Sequence, residues 1–144
     1  MANYFNAGIS EVSFIADEDL TTYQWHLVMA ASTNGNVQLF DILPSATCPR
    51  IPVGVLVNSP SIGQEASVKV LGFAKARAAV AGCTLLFGAL LSVSDAGHFV
   101  PASVIADPVY GIWFGPDITS GSGYGNVLLN MITASGIQRL NTVN

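Results

Sequence analysis

The chain has 144 residues, of which five are basic and nine acidic, giving a formal net charge of −4, while 51% are hydrophobic. A soluble domain is ordinarily about 25% charged, so charged side chains are too few to cover this exterior. Ser, Thr, Asn, Gly and apolar atoms must supply much of it, and large surfaces of that kind mark contacts with other macromolecules. High apolar content and low net charge exclude a disordered chain. A pI of about 4.7, with three of the five basic residues (Lys69, Lys75 and Arg77) in one short stretch, argues against a nucleic-acid surface.

In chain order the sequence reads as short strands. Residues 1–20 hold no Lys or Arg and no long apolar run, so no secretory leader is expected. Residues 11–15 alternate, with Val12 and Phe14 on one face, and residues 17–19 (Asp-Glu-Asp) form a solvated turn. Residues 23–29 are an apolar run, Asn34-Gly35 is a hairpin turn, and Val37, Leu39 and Asp41 alternate on the return. Residues 43–50, with Pro44 and Pro49, read as a loop. Strands follow at 53–57 and 67–73.

Residues 74–93 are ambiguous, and a helix over 69–81 is the alternative to strand. The uncharged run 78–94 touches the lower limit of a membrane span, about 17–25 residues. It contains Gly82 and Gly88 and is followed by Asp95 rather than a positive cluster, so two adjoining buried strands with a glycine-marked turn are expected. Asp95-Ala96-Gly97 is a second hairpin-like turn, 109–114 a strand, 119–125 a Gly/Ser loop, 126–132 a strand, and 133–144 a polar tail.

The second half echoes the first. Pro52-Val53-Gly54-Val55 parallels Pro108-Val109-Tyr110-Gly111-Ile112, Val68-Lys69-Val70 parallels Val127-Leu128-Leu129, and residues 32–37 parallel 94–99. The offset drifts between about 57 and 62 residues, as an imperfect duplication would give, although turn chemistry shared by two ordinary β units would look similar. The expected fold is all-β: one domain over 1–144, a small barrel or sandwich of short strands with long loops.

No residue set converges on chemistry. His26 and His98 lie far apart with no Cys or carboxylate at metal-binding spacing, and His26 reads as a hydrogen-bonded structural histidine. Ser94, Asp95 and His98 have the residue types of a catalytic triad but crowd a single turn. Gly121-Ser122-Gly123-Tyr124-Gly125 lacks dinucleotide spacing and a following helix. Cys48 and Cys83 are expected as free buried thiols. Trp25 and Trp113 are read as core or subunit-interface residues. No catalytic, cofactor-binding or metal-ligating residue is assigned, and an enzyme is not expected.

The runs 54–60 (GVLVNSP) and 63–75 (GQEASVKVLGFAK), together with Ser94-Asp95-Ala96-Gly97 and Val109-Tyr110-Gly111-Ile112, resemble the capsid decoration (cement) proteins of tailed bacteriophages. The resemblance spans residues 52–131. It implies a small β-rich protein that trimerises on the outside of the capsid and clamps neighbouring capsomers, assembled in the host cytoplasm. The implied partners are copies of itself and the major capsid protein, with no nucleic acid, membrane, cofactor or catalytic residue. On that reading residues 1–10 form a contact arm, Ala2, Asn3, Tyr4 and Phe5 its aromatic hook, and Trp113 a further contact. The alternatives are a head-fibre base or a tail-associated carbohydrate-binding domain, the latter with Trp113 or Tyr124 stacked on a sugar.

Overall fold

The computed structural model describes residues 10–41, 51–80, 83–102 and 108–131. Among them are ten strands: β1 (Glu11–Ala16), β2 (Leu27–Ala30), β3 (Asn36–Leu39), β4 (Pro52–Leu56), β5 (Glu65–Lys69), β6 (Leu71–Ala79), β7 (Leu90–Ser94), β8 (His98–Pro101), β9 (Gly111–Trp113) and β10 (Ser122–Asn130). A single 3-10 turn, Asp95–Gly97, joins β7 to β8. The strands close into two barrels, β1-β3-β2-β4-β5 and β6-β8-β7-β9-β10. The fold is therefore all-β and built of barrels rather than a sandwich.

The barrels have one topology. β1 runs parallel to β3 as β6 does to β8, and every other pairing is antiparallel in both. Register aligns them residue by residue. Ala16 faces Val37 in the first parallel pair and Ala78 faces Phe99 in the second. Leu27 pairs with Val55 and Val28 with Gly54, as Leu90 pairs with Ile112 and Leu91 with Gly111. A Cβ on Gly54 would lie 2.3 Å from the Lys69 carbonyl oxygen, and one on Gly111 2.8 Å from that of Leu128, the same crossing in each barrel. The β2–β3 and β7–β8 hairpins each turn at a glycine in the left-handed region, Gly35 (φ 84°) and Gly97 (φ 70°). This is the structural form of the internal duplication.

Each barrel fills its lumen with inward side chains. Leu20, Val28, Val37, Leu56, Ala66 and Val68 form one cluster. The other gathers Ala76, Leu91, Phe99, Trp113, Val127 and Leu129 of the second barrel, and it extends into the first through Leu27, Met29, Phe40 and Val55. Along β2, Val28 points into its own lumen while Leu27 and Met29 point to the second barrel. Both faces of the strand are thus buried, which is why it reads as an unbroken apolar run.

Several local expectations change. The loop expected over 119–125 becomes strand from Ser122, because β10 pairs with β6 from Ser122↔Ala79 onward. The expected strand over 67–73 is broken at Val70, where the chain leaves the first barrel for the second. The stretch read as two adjoining buried strands holds the end of β6 and all of β7, and Leu86 and Phe87 between them are exposed. Cys83, expected buried, is exposed in that connection. The helix alternative over 69–81 is overturned by β6, and no helix among the described residues is long and apolar enough to cross a membrane. The arm at 1–10 (but for Ser10), the hook Ala2, Asn3, Tyr4 and Phe5, the loop at 43–50 with Cys48, and the tail at 133–144 lie outside the described residues.

Candidate functional site: a seam between barrels and an open apolar stripe

Trp113 belongs to the core. Its indole is fully buried, donates from Nε1 to the Pro116 carbonyl oxygen at 2.8 Å, and rests against Gly115 and Gly125, where a Cβ would come within 2.5 Å of the ring. None of its side chain is accessible in this chain, to a sugar or to a partner.

His26 and His98, distant in sequence, meet where the barrels touch, with ring centroids 5.3 Å apart. His26 Nδ1 lies 3.1 Å from the Gln24 carbonyl oxygen, and Tyr23 packs edge-on against its ring. Burial holds the His26 pKa below the ordinary histidine value, and nearby Arg77 adds to that. Burial also lowers the His98 pKa, with His26 and Arg77 contributing. The same seam carries two backbone bonds, Arg77 N–H to the Trp25 carbonyl oxygen at 2.9 Å and Gly97 N–H to that of Phe40 at 3.1 Å. Beside it Lys75 Nζ sits 5.6 Å from the Trp25 ring centroid and 5.4 Å from that of Tyr124, with the Arg77 guanidinium 4.7 Å from Tyr124. Both rings thus carry a cation on a face, while Tyr124 stays partly exposed.

The remaining constellations do not assemble. Ser94 Oγ donates at 3.4 Å to the backbone oxygen of Asp95, its sequence neighbour, and not to an imidazole as a triad hydroxyl would. The carboxylates of the 17–19 turn are hydrogen-bonded locally: Asp17 to Asn36 Nδ2, Glu18 to Leu39 N–H and Asp19 to Thr21 N–H. Among the described residues no three His, Cys, Asp or Glu side chains group as metal ligands would.

What the surface does offer is apolar. Phe73 on β6 pairs with Leu128 on β10, Leu128 with Ile112 on β9, and Ile112 with Leu90 on β7. This stripe crosses four adjacent strands on the outside of the second barrel, and Phe73 (57%) and Leu90 (50%) are widely exposed. Phe114 links Phe73 to Phe87 by edge-to-face contacts at 5.5 and 5.4 Å, and a groove along the stripe is lined by Leu71, Leu90, Val109, Ile112, Leu128 and Leu129. Covering each half-exposed Phe or Leu gains on the order of 1 kcal/mol. The alternation of 71–75 and 126–130 could have announced this stripe, but only strand register brings its four members into one row.

No family model matches the chain, and no curated protein does. Among solved structures the chain is similar to the head fiber gp8.5 N base of bacteriophage phi29, with 15% identity, a TM-score of 0.56, and coverage of 84% of this chain and 93% of that one. At that identity the likeness is one of fold.

Proposed function

We propose that this chain is a structural virion protein of a tailed bacteriophage, assembled with copies of itself and seated on the outer surface of the head. The observation that carries the reading is the fold likeness to a head-fibre base over most of both chains. The uncharged stripe Phe73–Leu128–Ile112–Leu90 supports it, since a subunit held in a lattice needs apolar surface free of charges that would have to be desolvated.

Two forms of the function suit this surface. As the base of a projecting fibre, the chain anchors something further out, and the solved neighbour favours this form. As a decoration protein it would clamp capsomer junctions, a form that the resemblance in residues 52–131 favours. Co-sedimentation of purified protein with shells of the major capsid protein from the same virus tests both. Binding with a raised shell melting temperature is expected of the clamp, and binding with an unchanged one of the fibre base. Absence from purified particles, together with no shell binding, overturns the proposal.

A further inference from the structure

The seam inside the molecule has two unused counterparts on its surface. The first barrel docks on the second through the row Leu27–Val55, both buried in the shared cluster, with Met29 and Phe40 beside them. Register makes Leu90 and Ile112 the equivalents of Leu27 and Val55. In the second barrel this same row faces outward within the apolar stripe, and Leu90 is half exposed.

The receiving side shows the converse. On the second barrel the first is received by the turn at Gly97 and by the outward row of β6. A Cβ on Gly97 would meet the Leu27 carbonyl oxygen at 2.7 Å, and Arg77 donates to Trp25. The equivalent turn glycine of the first barrel, Gly35, has nothing within 4 Å of its Cβ position. Ile15, which stands in β1 where Arg77 stands in β6, is 41% exposed. Among the described residues, then, the second barrel keeps an unfilled docking row and the first an unfilled receiving turn, each matching a half of a contact made internally.

We infer that copies of this chain associate head to tail, the Leu90–Ile112 row of one copy seating on the Ile15–Gly35 side of the next, in the manner of the internal seam. The occupant of the stripe is thus a second copy. Such a contact is heterologous, so it closes into a ring or continues as a filament, and it does not form a two-fold dimer in which the stripe faces itself. The inference rests on the self-assembly part of the proposed function and not on its capsid part, so sedimentation tests the one and shell binding the other.

The test mixes two variants of the whole chain, Leu90→Glu and Ile15→Glu, both at exposed positions, with circular dichroism and melting temperature confirming that each is folded. Wild type is expected to sediment as an assembly of several chains, and each variant alone as a monomer. An equimolar mixture is expected to sediment at the mass of two chains, because each supplies the side that the other lacks and only one junction forms. A monomeric wild type overturns the inference. So does an Ile15→Glu variant that assembles like wild type while Leu90→Glu does not, the result for a stripe that pairs with itself. Failure of assembled wild type to bind shells would count against the capsid reading alone.

Discussion

At the scale of single residues, the two barrels differ most in how their lumens are filled. Leu56 in the first corresponds to Trp113 in the second. The larger ring is accommodated by smaller neighbours, with Phe14 and Ala66 of the first barrel answered by Ala76 and Gly125 in the second. Trp113→Ala is expected to cost about 3–5 kcal/mol in denaturant titration, the range for an emptied aromatic site. Gly125→Ala is expected to cost about 1–3 kcal/mol from overpacking against the indole, as read from the urea midpoint. Trp25 takes a left-handed backbone (φ 72°) because its N–H must reach the Leu56 carbonyl oxygen at 2.7 Å. Its counterpart Gly88 (φ 86°) reaches Trp113 at 2.6 Å without strain. The exposed Cys83 thiol is expected to react with Ellman's reagent in native buffer as completely as in denaturant. None of these exchanges was legible in the sequence, since Gly125 reads as a loop glycine until Trp113 is known to lie across it.

At the scale of elements, alternation and turn chemistry were informative wherever a strand had one wet face. The strand at β1 and the turns at Asn34-Gly35 and Asp95-Ala96-Gly97 could be read directly. They failed at β10, where Gly123 and Gly125 mimic a loop but are held by pairing with Ala78 and Ala76. The seam was not legible because it joins His26, on the approach to β2, with His98 at the start of β8, and only closure of both barrels brings them together. Its chemistry predicts a pH dependence. Both histidines have folded pKa values below the unfolded value of about 6.5, so below that pH the unfolded chain binds more protons and stability falls. Stability from this source is complete above pH ~6.5 and declines as pH drops through the lowered folded values. The urea midpoint is expected to fall between about pH 7.5 and 5.5, and the double variant His26→Gln, His98→Gln to flatten that fall. An unchanged profile would mean that the rings titrate as freely folded as unfolded.

At the scale of the whole molecule, the shared cluster ties the barrels together. Leu27, Met29, Phe40 and Val55 would each be exposed if the second barrel melted alone. Calorimetry is therefore expected to record one transition rather than two, with equal calorimetric and van't Hoff enthalpies. The shortage of charge was the sequence's clearest global signal, and the outer stripe of the second barrel is one place where it takes form. Phe73→Ser with Leu90→Ser is expected to leave the melting temperature within a few degrees while abolishing self-association in sedimentation, because both side chains spend their apolar area on the outside. The repeated order of turns was legible as an echo, but the echo alone could not distinguish one barrel built twice from two unrelated β units.

The unequal lumens have a use in imaging. Two cylinders of one topology per chain make any ring of copies look, at low resolution, as though it had twice as many subunits as it does. Averaging over that false symmetry would blur the chain trace. An indole at the centre of every second cylinder, alternating with a leucine, is the density feature that sets the true repeat and tells one end of each polypeptide from the other.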